Sequence, residues 1–139
     1  ENSAPDLEAA EMLLSDRTRA IVVNSPHNPT GGVMTPQQVE GVSGFAKNYG
    51  LLLFSDDAYD RMVFEGSRFV SPASFPGMQD KTVLWGSLSK TYSMTGWRIG
   101  YLAAPPDLVA GAVKMQQNVL LSVCCILTAP ATTSAGAAR

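Results

Sequence analysis

Cysteine, histidine and charged residues are scarce in this chain of 139 residues, and long hydrophobic runs are absent. The two cysteines, Cys124 and Cys125, are adjacent and have neither a CxxC spacing nor His and Cys partners, so we expect two small buried apolar residues rather than a metal site or a disulfide framework. The longest apolar stretches, residues 20–23 and 51–54, fall far short of the roughly 20 residues that span a bilayer. A net charge of -2 leaves no basic stripe. The sequence therefore predicts no membrane segment and no nucleic-acid partner.

The two ends of the sequence bear on its domain organisation. The chain opens at Glu1 without an initiator methionine, and its first residues resemble the middle of a domain, so we interpret it as a fragment of a longer protein. Residues 1–127 are expected to form part of one domain, and residues 128–139, rich in Ala and Thr, are a poorly determined tail. The cytoplasm is the default expectation for its location.

The first half of the chain predicts a helix followed by a strand, a second helix and a second strand. Residues 6–14 indicate a short helix, and the branched apolar run over residues 19–24 is typical of a strand that is covered on both faces. Thr35 is an N-cap followed by proline, and apolar residues recur at helical spacing until Gly50 ends the helix. Residues 51–55 form the next buried strand. The crossover is long enough for the two strands to pair in parallel.

The second half continues the alternation of strands and helices. Residues 82–86 and 97–103 are strand candidates, and a helix follows Pro105 and Pro106 with one apolar face, made of Leu108, Ala112, Met115 and Val119. The fold class is therefore α/β, with a mostly parallel sheet and flanking helices.

Three polar residues each come directly after a predicted strand: Asn28, Asp56 and Lys90. In open sheets of this class, ligands bind in the crevice beyond the carboxyl ends of the strands. We therefore expect these three side chains to converge on one crevice.

The neighbours of Lys90 set it apart from an ordinary surface lysine. Ser89 and Ser87 precede it by one and three residues, and Arg98 follows eight residues later. Hydroxyls and a guanidinium are donors that suit a phosphate dianion beside an amine. We predict that Arg98 lies within the strand over residues 97–103. The neighbouring residues of this strand are large and apolar, so an ordinary solvent-exposed surface role does not explain a charged side chain there.

Three segments together resemble the class I/II aminotransferases, a fold-type-I family that uses pyridoxal 5'-phosphate (PLP). Residues 87–101, SLSKTYSMTGWRIGY, resemble the family's Schiff-base lysine motif. Residues 24–31, NSPHNPTG, resemble its Asn-Pro-Thr-Gly loop, and residues 55–59, SDDAY, resemble its Asp-x-x-Tyr motif. The motifs occur in the family's order, and the resemblance covers roughly residues 5 to 122. It implies that residues 1–127 are part of the PLP-binding large domain.

The resemblance also implies a role for each matching residue. Lys90 forms the Schiff base with PLP and then moves the proton that leaves the substrate's Cα. Asp56 pairs with the pyridine nitrogen and keeps it protonated, with Asp57 as the alternative carboxylate. Tyr59 and Asn28 donate hydrogen bonds to the cofactor's phenolic oxygen.

The phosphate of PLP is expected to contact Ser87, Ser89 and Arg98, of which Ser89 could instead support the turn. Four other residues are interpreted as structural. His27 is a solvated loop side chain, and Met94, Trp97 and Met115 are core or interface packing.

The predicted function is a PLP-dependent transaminase acting on an α-amino acid and a 2-oxo acid, as a homodimer in its full-length form. Two alternatives share all three motifs: a carbon–sulfur β-lyase, and a PLP-binding sensor domain of a transcription regulator. A further hypothesis is that the chain is a truncated product without activity, because family members are about three times this long. We expect residues 1–139 alone to be inactive.

Overall fold

The computed structural model describes residues 5–64 and 66–119 as one four-stranded sheet with helices around it. The strands lie in the order β1-β2-β3-β4, with β1 and β2, and β2 and β3, paired in parallel and β4 antiparallel to β3. The predicted α/β fold with a mostly parallel sheet is confirmed. The strands are β1 Ala20–Asn24, β2 Leu52–Asp56, β3 Thr82–Ser87 and β4 Gly100–Ala103, and the α-helices are α1 Leu7–Met12, α2 Pro36–Asn48, α3 Leu88–Thr91 and α4 Pro106–Val119.

Helix α2 begins and ends at the residues that the sequence indicates. The Thr35 hydroxyl accepts the backbone N–H of Gln38, and the Gln38 side chain accepts the N–H of Thr35, which is a complete capping box. At the other end, Gly50 adopts a φ of 65°, a left-handed conformation that glycine takes without steric cost. The predicted second helix is therefore confirmed together with both of its end signals.

The core lies between α2 and one face of the sheet. Val42 and Ala46 of α2 pack against Leu53 of β2, and Met78 closes the cluster from the connection before β3. Side chains alternate between the two faces along a strand, so Ser55, two residues after Leu53, also points to the α2 side and is buried. Burial of the apolar side chains supplies most of the driving force that holds the helix on the sheet.

The opposite face of the sheet is unevenly covered in the part of the chain that the structure describes, because Val83 of β3 is buried there while the β1 side is open. Val22 of β1 is 65% exposed, and Phe54 and Trp85 on the neighbouring strands are only half-buried. The prediction that residues 19–24 are covered on both faces is therefore wrong for the described residues. The physical reason is that β1 is an edge strand of the described sheet, and an apolar run cannot by itself show whether its cover lies in the same segment of chain.

The segment before β4 also differs from the prediction. Residues Thr95–Trp97 form one turn of 3-10 helix, Arg98 has a left-handed φ of 53°, and β4 begins only at Gly100. A positive φ is incompatible with a β-strand, so the predicted strand over residues 97–103 is wrong at its start, and Arg98 lies outside it. Gly100 itself is sterically required, since a Cβ there would lie 2.7 Å from the backbone oxygen of Gly86 on β3.

Helix α4 and the segment before β4 each carry large apolar side chains that are exposed. Met115 is 66% exposed and Trp97 is 68% exposed, so neither packs in the described core, while Met94 is half-buried. The interpretation of Trp97 and Met115 as core residues is therefore wrong, and their role at an interface stays a prediction. None of the described helices is long and apolar enough to cross a bilayer.

Several predictions concern residues that the structure does not describe. Cys124, Cys125 and the tail over residues 128–139 lie outside the described residues, and so does the boundary placed at residue 127. The side chain of Val119, predicted on the apolar face of the last helix, is likewise not described.

Candidate active site

The parallel strands bring three segments of chain to one edge of the sheet. Asn24, Asp56 and Trp85 are partners in the register of β1, β2 and β3, so these strands reach their carboxyl ends side by side. The loop after β1, the turn after β2 and helix α3 after β3 all begin at this edge. Asp56 is the last residue of β2 rather than the first residue of the loop, one position inside the predicted boundary.

Tyr59 connects the two other predicted segments. The side-chain amide of Asn28 donates a hydrogen bond to the Tyr59 hydroxyl at 3.3 Å, and the Lys90 ammonium lies 5.5 Å from the centroid of the Tyr59 ring. A cation at this distance from an aromatic face is attracted to the ring. Residues 28 and 59 come from two separate loops and residue 90 from helix α3, and the fold therefore brings these candidates together around one phenol.

Asp56 ends β2 three residues before Tyr59, and one of its side-chain oxygens is engaged. The backbone N–H of Ala58 donates to its Oδ1 at 3.1 Å, which fixes the carboxylate in the turn. The other oxygen, Oδ2, makes no hydrogen bond within residues 5–64 and 66–119 and can accept one from a ligand.

Asn24, for which the sequence predicts no role, connects Asp56 to Asn28. Its Oδ1 accepts the backbone N–H of Asn28 at 2.9 Å, and its Nδ2 donates to the backbone carbonyl of Asp56 at 3.4 Å. The sequence offered only its position at a strand end, which many loop asparagines share.

The three residues assigned to a phosphate are engaged in local bonds. Ser87 caps α3 by accepting the backbone N–H of Ser89 at 3.1 Å, and Ser89 is buried. Arg98 donates from Nη1 to the carbonyl of Thr95 at 3.2 Å and is exposed. No hydrogen bond joins Arg98 to either serine in the described part of the chain. The structure therefore places the serines next to Lys90 but does not assemble all three residues around one point.

Asp57 differs from Asp56 in every respect that matters for ligand binding. It is 4% exposed, and Ser55 donates a 2.6 Å hydrogen bond to its Oδ1 on the α2 side of the sheet. Burial raises the pKa of Asp57 to about 6, the Ser55 hydrogen bond opposes the rise, and the carboxylates of Asp60 and Asp56 add to it. A buried carboxyl turned away from the loops is poorly placed to meet a ligand, so the geometry favours Asp56.

A cavity of about 240 Å³ lies next to the Asn28–Tyr59 pair. His27, predicted as a loop residue, lines this cavity, and a 2.8 Å hydrogen bond joins its Nδ1 to the Thr30 hydroxyl. Its other lining residues are mostly apolar: Pro26, Pro29, Gly31, Val33, Met62, Phe64 and Ser67.

The chemistry of these side chains fits the PLP that the family resemblance implies. An amine, a phenol, an amide donor and a carboxylate with a free oxygen are present at one edge, and they match an aldehyde, a phenolic oxygen and a protonated pyridine nitrogen. Among the described residues, no group of three His, Cys, Asp or Glu side chains is arranged to hold a metal ion.

Comparison with known sequences points to one family. The profile of the family described as "Aminotransferase class I and II" matches residues 1–138. The chain is 39% identical over 110 residues to an aromatic-amino-acid aminotransferase of Thermococcus litoralis, covering 79% of this chain and 28% of the relative. It is 34% identical over 111 residues to an aspartate aminotransferase of Pyrococcus abyssi, covering 80% of this chain and 28% of the relative.

Solved structures agree with the sequence relatives. The aromatic aminotransferase from Pyrococcus horikoshii superposes with a TM-score of 0.79 at 36% identity, over 83% of this chain and 31% of that one. N-succinyldiaminopimelate aminotransferase from Mycobacterium tuberculosis gives a TM-score of 0.78 at 35% identity, over 84% and 30%. The chain thus spans less than a third of the length of the relatives it matches.

We predict that Asp57→Asn changes the stability of the complete protein in a pH-dependent way. The free energy of unfolding of the variant, relative to that of the unsubstituted protein, should be higher at pH 8 than at pH 5. The folded state binds the Asp57 proton more tightly than the unfolded state does, because the pKa is about 6 instead of 3.8. The ionised Asp57 carboxylate therefore lowers the free energy of unfolding above pH 6. This destabilisation disappears as the pH falls toward 3.8, and roughly 1 kcal/mol of it is lost between pH 7 and pH 5. Urea midpoints of both proteins across this range measure the difference, and a difference that does not vary with pH would contradict the prediction.

Proposed function

The chain belongs to the class I and II aminotransferase family, and from that premise we propose that the complete protein is a PLP-dependent transaminase, which moves an amino group between an α-amino acid and a 2-oxo acid. The observation that carries the proposal is the group formed by Lys90, Tyr59 and Asn28, with Asp56 beside it, at the carboxyl edge of the parallel strands. Relatives named for aromatic amino acids, aspartate and N-succinyldiaminopimelate support an α-amino acid as the substrate class.

Each residue of the group has a chemical task in this proposal. PLP, when bound, supplies an electron sink for the pair of electrons left at the substrate's Cα. Lys90 holds the cofactor by its amine and, once released, takes the proton from Cα. Asp56 accepts the pyridine N–H through its second oxygen and so keeps that nitrogen protonated.

The remaining residues bind and orient. Tyr59 and Asn28 donate to the phenolic oxygen, and their mutual hydrogen bond holds the two donors at one point. Ser87, Ser89 and Arg98 are proposed to bind the phosphate, for which a guanidinium offers a fixed fork of donors. A homodimer is proposed for the complete protein, and the exposed apolar side chains of Trp97 and Met115 support an interface. The cytoplasmic location stays a prediction.

The proposed function is tested by an amino-transfer assay on the complete protein. We expect transfer from aspartate, tyrosine or alanine to 2-oxoglutarate at a rate well above that of free PLP, because positioned donors outperform the same groups in solution. The same preparation is given cystathionine without an oxo-acid acceptor. Pyruvate release without any transfer would indicate the β-lyase instead, and PLP binding without either reaction would indicate the sensor domain.

Lys90 is expected to be the lysine that bonds to the cofactor. Borohydride reduction of the complete protein with PLP should add the phosphopyridoxyl mass to the peptide that contains Lys90, and peptide mass mapping locates it. Lys47, Lys81 and Lys114 are internal controls in the same digest, because none of them lies near Tyr59 in the described contacts. An adduct on one of these three lysines would disprove the assignment.

Asp56→Asn should leave the complete protein folded but lower kcat by several factors of ten, each corresponding to about 1.4 kcal/mol of transition-state free energy. Asn keeps an acceptor for the Ala58 N–H and loses only the charge that holds the pyridine proton. Asp57→Asn is the matched control, since it removes the neighbouring buried carboxylate and should leave kcat near that of the unsubstituted protein. The reverse pattern of kcat values would assign the pyridine nitrogen to Asp57.

A further inference from the structure

Asn24 is the last residue of β1, and its side chain contacts two of the proposed cofactor residues at once. Its Oδ1 accepts the backbone N–H of Asn28, and its Nδ2 donates to the backbone carbonyl of Asp56. Asn24 is half-buried between these segments. One amide therefore ties the loop after β1 to the end of β2.

We propose that Asn24 is a positioning residue, which acts on the cofactor's phenolic oxygen by holding Asn28 in place. The inference rests on the proposed PLP function of this site. Asn24 is not assigned any contact with cofactor or substrate.

The loop after β1 has few other means of fixing Asn28. Pro26 and Pro29 carry no N–H, and the region lacks regular structure. The described backbone bonds of the loop connect His27 with Gly31 and Gly32, so they close the loop on itself rather than on β2. The bond to Asn24 Oδ1 is thus the described hydrogen bond that anchors the Asn28 backbone to the end of β1.

The loss of this bond should affect geometry more than stability. Asn28 is exposed, so its freed N–H can bind water, and such a hydrogen bond makes only a small net contribution to stability. The Asn28 side chain, however, reaches the Tyr59 hydroxyl at 3.3 Å, and a small rotation of the loop would separate them. Donors that stabilise negative charge on the phenolic oxygen lower the pKa of the bound chromophore, so misplaced donors raise it.

The experiment measures the apparent pKa of the visible absorbance of the complete, PLP-loaded protein, with and without Asn28→Ala, in three backgrounds. In the unsubstituted background Asn28→Ala should raise this pKa by about one, a tenfold change in protonation. In the Asn24→Ala background the pKa should already be raised, and Asn28→Ala should add almost nothing, because residues that act through one another are not additive. In the Asn24→Asp background, which keeps an oxygen for the Asn28 N–H and loses only the donor to the Asp56 carbonyl, the effect of Asn28→Ala should return.

Ser25→Ala is the matched control. Ser25 follows Asn24, and its hydroxyl accepts the backbone N–H of Met34 at 2.9 Å, the same length as the Asn24–Asn28 bond, but on the buried side. It should lower the urea midpoint and leave the absorbance pKa unchanged. A purely structural role of Asn24 would give that same pattern for Asn24→Ala and would overturn the proposal.

Further outcomes separate the inference from the function on which it rests. An additive effect of Asn28→Ala in the Asn24→Ala background refutes the positioning role alone. If Asn24→Ala does not fold, the Asn24→Asp background decides, since loss of the Asn28→Ala effect there also refutes it. If the unsubstituted protein gives no pH-dependent visible band with PLP, the proposed function fails and the inference fails with it.

Discussion

The parallel pairing of β2 with β1 on one side and β3 on the other is the constraint on which the candidate site depends. The register that places Asn24, Asp56 and Trp85 side by side brings the loop of Asn28, the turn of Tyr59 and the helix of Lys90 to one edge. A shift of the register by one residue would turn every side chain of a strand to the other face and separate these groups. The core between α2 and β2 specifies the register, because Leu53 must be buried and its neighbours on the strand then point the other way.

The same alternation explains why two adjacent carboxylates have different environments. Ser55 lies on the α2 side of the sheet, and its hydroxyl holds the Asp57 carboxyl on that side. The chain between them is extended, so Asp56 is directed away from α2 and toward the loops that carry Asn28 and Tyr59. Keeping the buried Asp57 carboxylate ionised costs free energy, and its raised pKa reflects this cost. An acceptor at this position, whether carboxylate or amide, keeps the residue before it directed to the other side of the sheet.

Features encoded in short segments could be predicted from the sequence, and features set by distant contacts could not. The capping box of Thr35 and Gln38 and the left-handed Gly50 are local, and helix α2 lies where they indicate. The alternation of strands and helices likewise gave the fold class. The positive φ of Arg98 depends on the turn in which it lies, and the residue types of the segment do not reveal it. The exposure of Val22 depends on which parts of the chain pack against β1, and the apolar run itself does not reveal that. Asn24 was missed for the same reason, since its partners are 4 and 32 residues away.

The serines near Lys90 and Arg98 show that local bonds and ligand binding can use different atoms of one side chain. Ser87 caps α3 with a lone pair of its oxygen, and the hydroxyl proton remains available as a donor. Arg98 gives one guanidinium N–H to Thr95, while a guanidinium carries five. The left-handed backbone of Arg98 costs free energy that the surrounding structure must offset, and such strain is common in residues that contact ligands. Within the described residues, the hydrogen bonds that shape this segment therefore leave donors of Ser87 and Arg98 that a phosphate could accept.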